Sequence, residues 1–351
     1  HSLLAATLLT ALVAGCKAEA PTTPAASSEA ASAAASQADA RFAELSKRWL
    51  EGWLPLNPVS ATQIGDHRFD AELDDVSAAG RQRALDFSKK ILAELDAIDA
   101  STLSRENQVD AAILRNQLRG DIWSTETLQA WAWDPQGYNS LAGGAIYNLM
   151  AREFAPLPER LKSATARMEK LPAMFVQMRA EIVPARVPKI HADTVAKQNA
   201  GLLSLIDTFI TPNVDKLQGE DRTRLDAAVA GLRKAVAEHQ TWLDKTLVPN
   251  AKGDFRIGQT LYDQKLQFSL LSSLSRTEIK QRAEDEIKRV REEMYAVART
   301  VLKDKPNAPE MPDTRASCAP MFLTTTSWLP TISSTWTAAR LWPERSSSTG
   351  L

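Results

Sequence analysis

Residues 276–303 read RTEIKQRAEDEIKRVREEMYAVARTVLK, and this stretch decides the fold class. Ile279, Ala283, Ile287, Val290, Met294, Val297 and Val301 recur at three- and four-residue intervals and make one apolar stripe on a helix. Glu284 with Lys288, Asp285 with Arg289, and Lys288 with Glu292 stand four apart and are expected to pair on the wet face. The charge run is therefore a solvated helix face and not a metal site.

The same period recurs upstream. Phe42, Leu45, Trp49 and Trp53 mark a helix from Asp39, and Pro55 and Pro58 end it in a turn. Residues 79–100 form a second helix, with Leu85, Ile91, Leu92, Leu95 and Ile98 on one side, and residues 104–130 a third, with Ser104 as N-cap. Pro156 to Val183 is helical, with Pro172 expected to kink or split it. Residues 191–211 and 219–247 read as a helical pair, and Phe255 to Gly258 as a short strand or turn. Trp131 and Trp133 fill the core between helices or line a groove, and Gly143-Gly144 permits a close helix approach. Glycine is scarce and helix formers are plentiful. The expected fold is mainly α, an irregular multi-helix domain over residues 39–312, preceded by a lipoprotein signal and a flexible tether.

The signal lies at the N-terminus. An apolar run from Leu3 to Val13 leads through Ala14-Gly15 to Cys16, the pattern of a bacterial lipobox. Residues 1–15 are the expected signal peptide, cut between Gly15 and Cys16, with Cys16 as the lipidation site. The run is too short to cross a bilayer, which takes about 20 apolar residues. The chain starts His1-Ser2, so a few residues of the basic n-region are expected to be missing upstream. Residues 16–38 hold no large apolar side chain and read as an Ala/Ser/Thr/Pro tether. The implied partner is membrane lipid through the acyl chains on Cys16. Lys17 is not the Asp that holds enteric lipoproteins at the inner membrane, so the expected location is the outer membrane, facing the periplasm.

A net charge of −1 offers no basic excess for nucleic acid. With Cys16 acylated, Cys318 stands alone and no disulfide framework is expected. After Asp313 the helical period stops. The tail has no Lys, only Asp313 and Glu344 as acids, and three Trp residues, and it reads as out-of-frame translation, a non-native or disordered segment over residues 313–351.

Catalytic motifs are absent. There is no His-Glu-x-x-His, Cys-x-x-Cys, Gly-x-Ser-x-Gly, Walker loop or dinucleotide glycine pattern, so no catalytic residue, cofactor or metal is assigned to this chain. The one local cluster that mixes His with carboxylates is Asp66, His67 and Asp70, followed by Asp74-Asp75. It is read either as a site for a cation or amine, or as a polar loop with a helix-capping Asp, the second being favoured. His239 beside Glu238 suggests a polar site flanking a helix, again with the bland reading favoured.

The ordered segments Leu56–Asp70 (with Pro58-Val59-Ser60-Ala61-Thr62 and Gly65), Pro156-Leu157-Pro158-Glu159-Arg160-Leu161, Phe255–Tyr262 and Leu274–Ile279 resemble the bacterial DUF885 family over about residues 40–312. The resemblance implies a mainly helical zinc metallopeptidase of the gluzincin kind, often exported as a lipoprotein. It implies zinc and a peptide substrate for full-length relatives, whose His-Glu-x-x-His helix lies further along than any stretch matched here. No position of this sequence matches that motif. The expected role is therefore the N-terminal helical part of such a protein, inactive as it stands, or alternatively a non-catalytic cell-envelope binding or scaffold protein.

Overall fold

The computed structural model describes residues 26–303, with side chains from Gln37 onward. Cys16, the Gly15–Cys16 cleavage point, the signal segment, the start of the tether and the tail from residue 313 lie outside the described residues. Among the described residues there is no strand. The one extended pairing is an isolated parallel bridge between Pro188 and Gly253, so Phe255 to Gly258 forms no strand.

The helices run α1 (Ala26–Trp53), α2 (Pro58–Ile64), α3 (Ala78–Asp96), α4 (Arg105–Trp123), α5 (Ala130–Trp133), α6 (Pro135–Met150) and α7 (Leu157–Glu181). They continue with α8 (Lys189–Gln198), α9 (Gly201–Leu205), α10 (Gly219–Trp242), α11 (Val248–Asn250), α12 (Gln259–Leu270) and α13 (Arg276–Leu302). Local signals start several of them. The Ser77 side chain accepts from the Gly80 amide at 3.1 Å and caps α3, Ser104 caps α4, and Pro58 and Pro135 occupy first turns. α1 begins inside the stretch read as a tether. Alanine is the strongest helix former, and a lack of large apolar residues removes packing without removing that propensity.

Two compact units are present, one ending at Ser272 and the other starting at Ser273. In the first, α1, α3 and α4 enclose Phe42, Leu45, Ile91, Leu95, Leu114 and Leu118. A larger core joins α2, α6, α7, α9 and α10 around Ile146, Leu149, Leu161, Met168, Leu171, Ile206, Leu232 and Val236. A third cluster gathers Tyr138, Met178, Ile182, Val195, Leu243 and Leu247. Gly144 lets α2 approach α6 closely: a Cβ there would stand 3.3 Å from a Val59 methyl.

Three expectations change. Pro172 does not split α7, because Met168, Leu171, Met174 and Phe175 around it are all buried. That burial outweighs the roughly 3 kcal/mol cost of an interior proline. The expected 191–211 helix is broken between α8 and α9. Buried Asn199 donates to the Val236 carbonyl and to Gln240, each at 3.0 Å, and so ties the break to α10. α4 stops at Trp123 and passes into a π-turn over Ser124–Leu128, which ends at Gln129 with a left-handed φ of 53°.

α13 forms the described part of the second unit. The Ser275 hydroxyl and the Glu278 carboxylate make a reciprocal capping box at its start. Part of its charge pairing departs from the sequence reading. Arg289 pairs with Glu286 and Glu293 rather than Asp285, Asp285 accepts from Gln281, and Glu284 faces Lys280. Its apolar stripe is not buried: Ile287, Met294, Val297 and Val301 are 47–63 % exposed.

Candidate functional site

The Asp66–Asp75 loop is organised from beneath by an arginine that the motif reading passed over. Gly65, with φ 96°, ends α2 in the left-handed conformation that glycine adopts freely and turns the chain back over α7. Arg167, in mid-α7, is fully buried. Its guanidinium donates to the Glu72 carbonyl (2.9 Å), the Ala145 carbonyl (3.1 Å), the Pro58 carbonyl (3.0 Å) and the Thr62 hydroxyl oxygen (2.7 Å). The Thr62 hydroxyl in turn donates to Asp70 Oδ1 at 2.6 Å, and Asp70 Oδ2 lies 3.0 Å from His67 Nδ1. One side chain thus joins α2, the loop, α6 and α7.

The electrostatics fit a structural role. Burial pulls the Arg167 pKa down to about 10, and Asp70, Asp74 and Glu72 oppose that pull, so the group stays charged at neutral pH. Burial pushes the Asp74 carboxyl up, against the Val59 amide, which donates to it at 3.0 Å, and the Arg167 charge. Asp74 is therefore the helix-capping Asp of this loop, and the helix it caps is α2.

The structure brings two of the three cluster residues together and separates the third. His67 meets Asp70 and stacks on Phe154, with ring centres 3.6 Å apart. Asp66 faces outward to Arg68, whose hydrogen bonds hold its carboxyl below the usual range, and Arg68 also pairs with Glu51 at 2.7 Å. A wide-open groove of about 600 Å³ runs past Leu50, Leu54, Ile64, Gly65, Asp66, His67 and Arg68. Both oxygens of Asp70 are already engaged, so no free general base faces it from that residue.

Among the described residues no three His, Cys, Asp or Glu side chains converge to hold a metal ion. His239 is no polar site. It is buried within α10, stacked on Phe175 at 4.6 Å and Trp242 at 5.6 Å, and desolvation followed by the Arg179 charge drives its pKa down to about 4. His191 lies 3.3 Å from Asp134, but its buried Nδ1 is not aligned for a hydrogen bond. Among the described residues the donor sets do not fit a zinc site.

A second cleft, of about 360 Å³, was foreshadowed only by the Trp-rich segment. Arg81 of α3 lies 3.7 Å over the Trp131 ring and pairs with Glu181 of α7 at 2.8 Å. The indole N–H groups of Trp131 and Trp133 donate to the Thr125 and Leu128 carbonyls at 3.0 and 2.9 Å, which satisfies groups that the π-turn leaves free. The Tyr138 hydroxyl donates to the Trp131 carbonyl at 2.8 Å, and burial raises its pKa to about 12. Both tryptophans are half-buried. They therefore pack the π-turn and, through Trp131, also line the cleft. A residue that closes a π-turn at positive φ leaves no simple spacing signal in sequence.

The family model for DUF885, bacterial proteins of unknown function, matches residues 58–328. The solved structure of a candidate lipoprotein of unknown function from Shewanella oneidensis is similar at a TM-score of 0.66 and 27 % identity, over 77 % of this chain and 50 % of that one. The chain thus spans about half the length of this relative. No curated protein matches the chain.

Proposed function

The chain belongs to the DUF885 family, and from that premise we propose that it is the N-terminal helical part of a cell-envelope lipoprotein, held by acyl chains on Cys16 and without peptidase chemistry of its own. The observation that carries the anchoring is the lipobox Leu12-Val13-Ala14-Gly15-Cys16, beside the likeness to a candidate lipoprotein. Lys17 favours the outer membrane, facing the periplasm. The lack of peptidase chemistry is supported by the commitment of Thr62 to Arg167, of Asp70 to Thr62 and His67, and of the His67 ring to Phe154. Zinc and peptide substrate remain proposals for full-length relatives. We also place the loss of reading frame in the tail, and the family match reaching residue 328 favours a point later than Asp313.

Labelling a bacterial host with radioactive palmitate tests the anchor. The chain should take up label and sediment with outer-membrane vesicles, and Cys16→Ala should lose both. Label retained by Cys16→Ala would contradict the assignment. Incubation with a peptide mixture should give no cleavage, and cleavage abolished by a chelator would overturn the second part. The alternative, a non-catalytic envelope binding or scaffold protein, draws on the Arg81–Trp131 cleft. Loss of an envelope phenotype in Arg81→Ala, at unchanged stability, would favour it.

A further inference from the structure

The α13 stripe is an apolar seam that the described fold leaves uncovered. Ala283, Ile287, Val290, Met294, Val297 and Val301 alternate four and three residues apart, a repeat of 3.5, which is the spacing that receives the knobs of another α-helix. A random surface scatter of apolar residues does not keep that period. Tyr295, the one buried residue of the helix, lies off the seam by about a third of a turn. On α13 itself Ile287, Met294, Val297 and Val301 all stand exposed along this one face. Contiguous exposed apolar surface of this kind marks an interaction site.

The size of the relative argues for one occupant. The Shewanella oneidensis protein is matched over only half its length, so its fold includes about as much chain again that must bury an apolar face somewhere. We infer that the Ile287–Val301 seam of α13 is the docking surface for an α-helix from the half of that fold which this chain does not span. Glu286 and Glu293, both paired with Arg289, border one side of the seam and keep that edge polar. The inference rests on family membership and not on lipidation, so a negative palmitate result would leave it standing.

Hydroxyl-radical footprinting of the full chain and of the intact Shewanella oneidensis protein tests it, with sedimentation equilibrium on the same samples. The chain should sediment as a monomer with Ile287, Met294 and Val301 heavily modified, and the aligned side chains of the longer relative should be protected several-fold. Equal modification in both proteins would overturn the inference. So would a dimer of the chain dissociated by Met294→Glu, because the occupant would then be a second copy. Protection in the full chain that is lost on removing residues 304–351 would overturn it as well, by assigning the seam to the chain's own tail. A paired Glu substitution at the positions aligned with Ile287 and Met294 should lower the Tm of the relative while leaving that of this chain unchanged.

Discussion

The Arg167 node and the α13 seam invert the usual rule in opposite directions. At the node a charged side chain is wholly buried, and at the seam four large apolar side chains stand in water. The difference is in partners. Every carbonyl that Arg167 reaches belongs to an element within the first unit, so removing the guanidinium strands groups that are already dry. The seam has the right period and meets no opposite surface among the described residues. Burial therefore reports a completed region in one case and an open edge in the other, although sequence patterning alone gives the apolar stripe as much weight as any core helix.

That contrast can be broken most forcefully at Arg167. Arg167→Met keeps the bulk and removes the donors to Pro58, Ala145, Glu72 and Thr62, leaving Asp70 and Asp74 without their buried counter-charge. The expected loss is about 3–5 kcal/mol in urea denaturation. A loss below about 1 kcal/mol would show that the node is dispensable.

His239 offers a pH test of the same core. Its folded pKa is depressed to about 4 from an ordinary 6.5. The unfolded chain therefore binds the proton more readily. The contribution is fully present above pH 6.5 and is lost as the pH falls towards 4, to the extent of about 3 kcal/mol. His239→Phe preserves the stack on Phe175 and Trp242 and should flatten the stability profile across that window relative to wild type. An identical slope in both proteins would remove His239 as the cause.

Thr62→Val should cost about 1–3 kcal/mol, since it leaves Asp70 Oδ1 and one Arg167 donor short of a partner. A smaller effect is expected at Ser275→Ala, which deletes the capping box of α13 at about 1 kcal/mol, read as lost helicity. Smallest of all is Met294→Glu, which should stay within about 0.5 kcal/mol of wild type.

Much of the architecture was legible because it is local. The Phe42–Trp49 and Leu85–Leu95 stripes, Ser104 as a cap and the α13 period are all short-range patterns, and each is a helix or a helix start in the structure. The Asp66–Asp75 loop could be seen as polar, with a capping Asp among its acids. What organises it could not, because Arg167 lies some hundred residues away and looks like any other helical arginine until its carbonyl partners are placed. The break at Asn199 is likewise decided by tertiary hydrogen bonds, and the π-turn before Trp131 by indole-to-carbonyl bonds, and neither leaves a period. Nor does a stripe carry a mark for whether its partner is present, so the α13 period alone did not tell a buried face from an exposed one.

The most direct measurement is paired urea denaturation of Arg167→Met and Met294→Glu in the full chain, followed by far-UV circular dichroism. A completed Arg167 node and an open α13 seam predict a large fall in midpoint for Arg167→Met and none for Met294→Glu. A comparable fall for both would contradict it, because the seam would then already be covered.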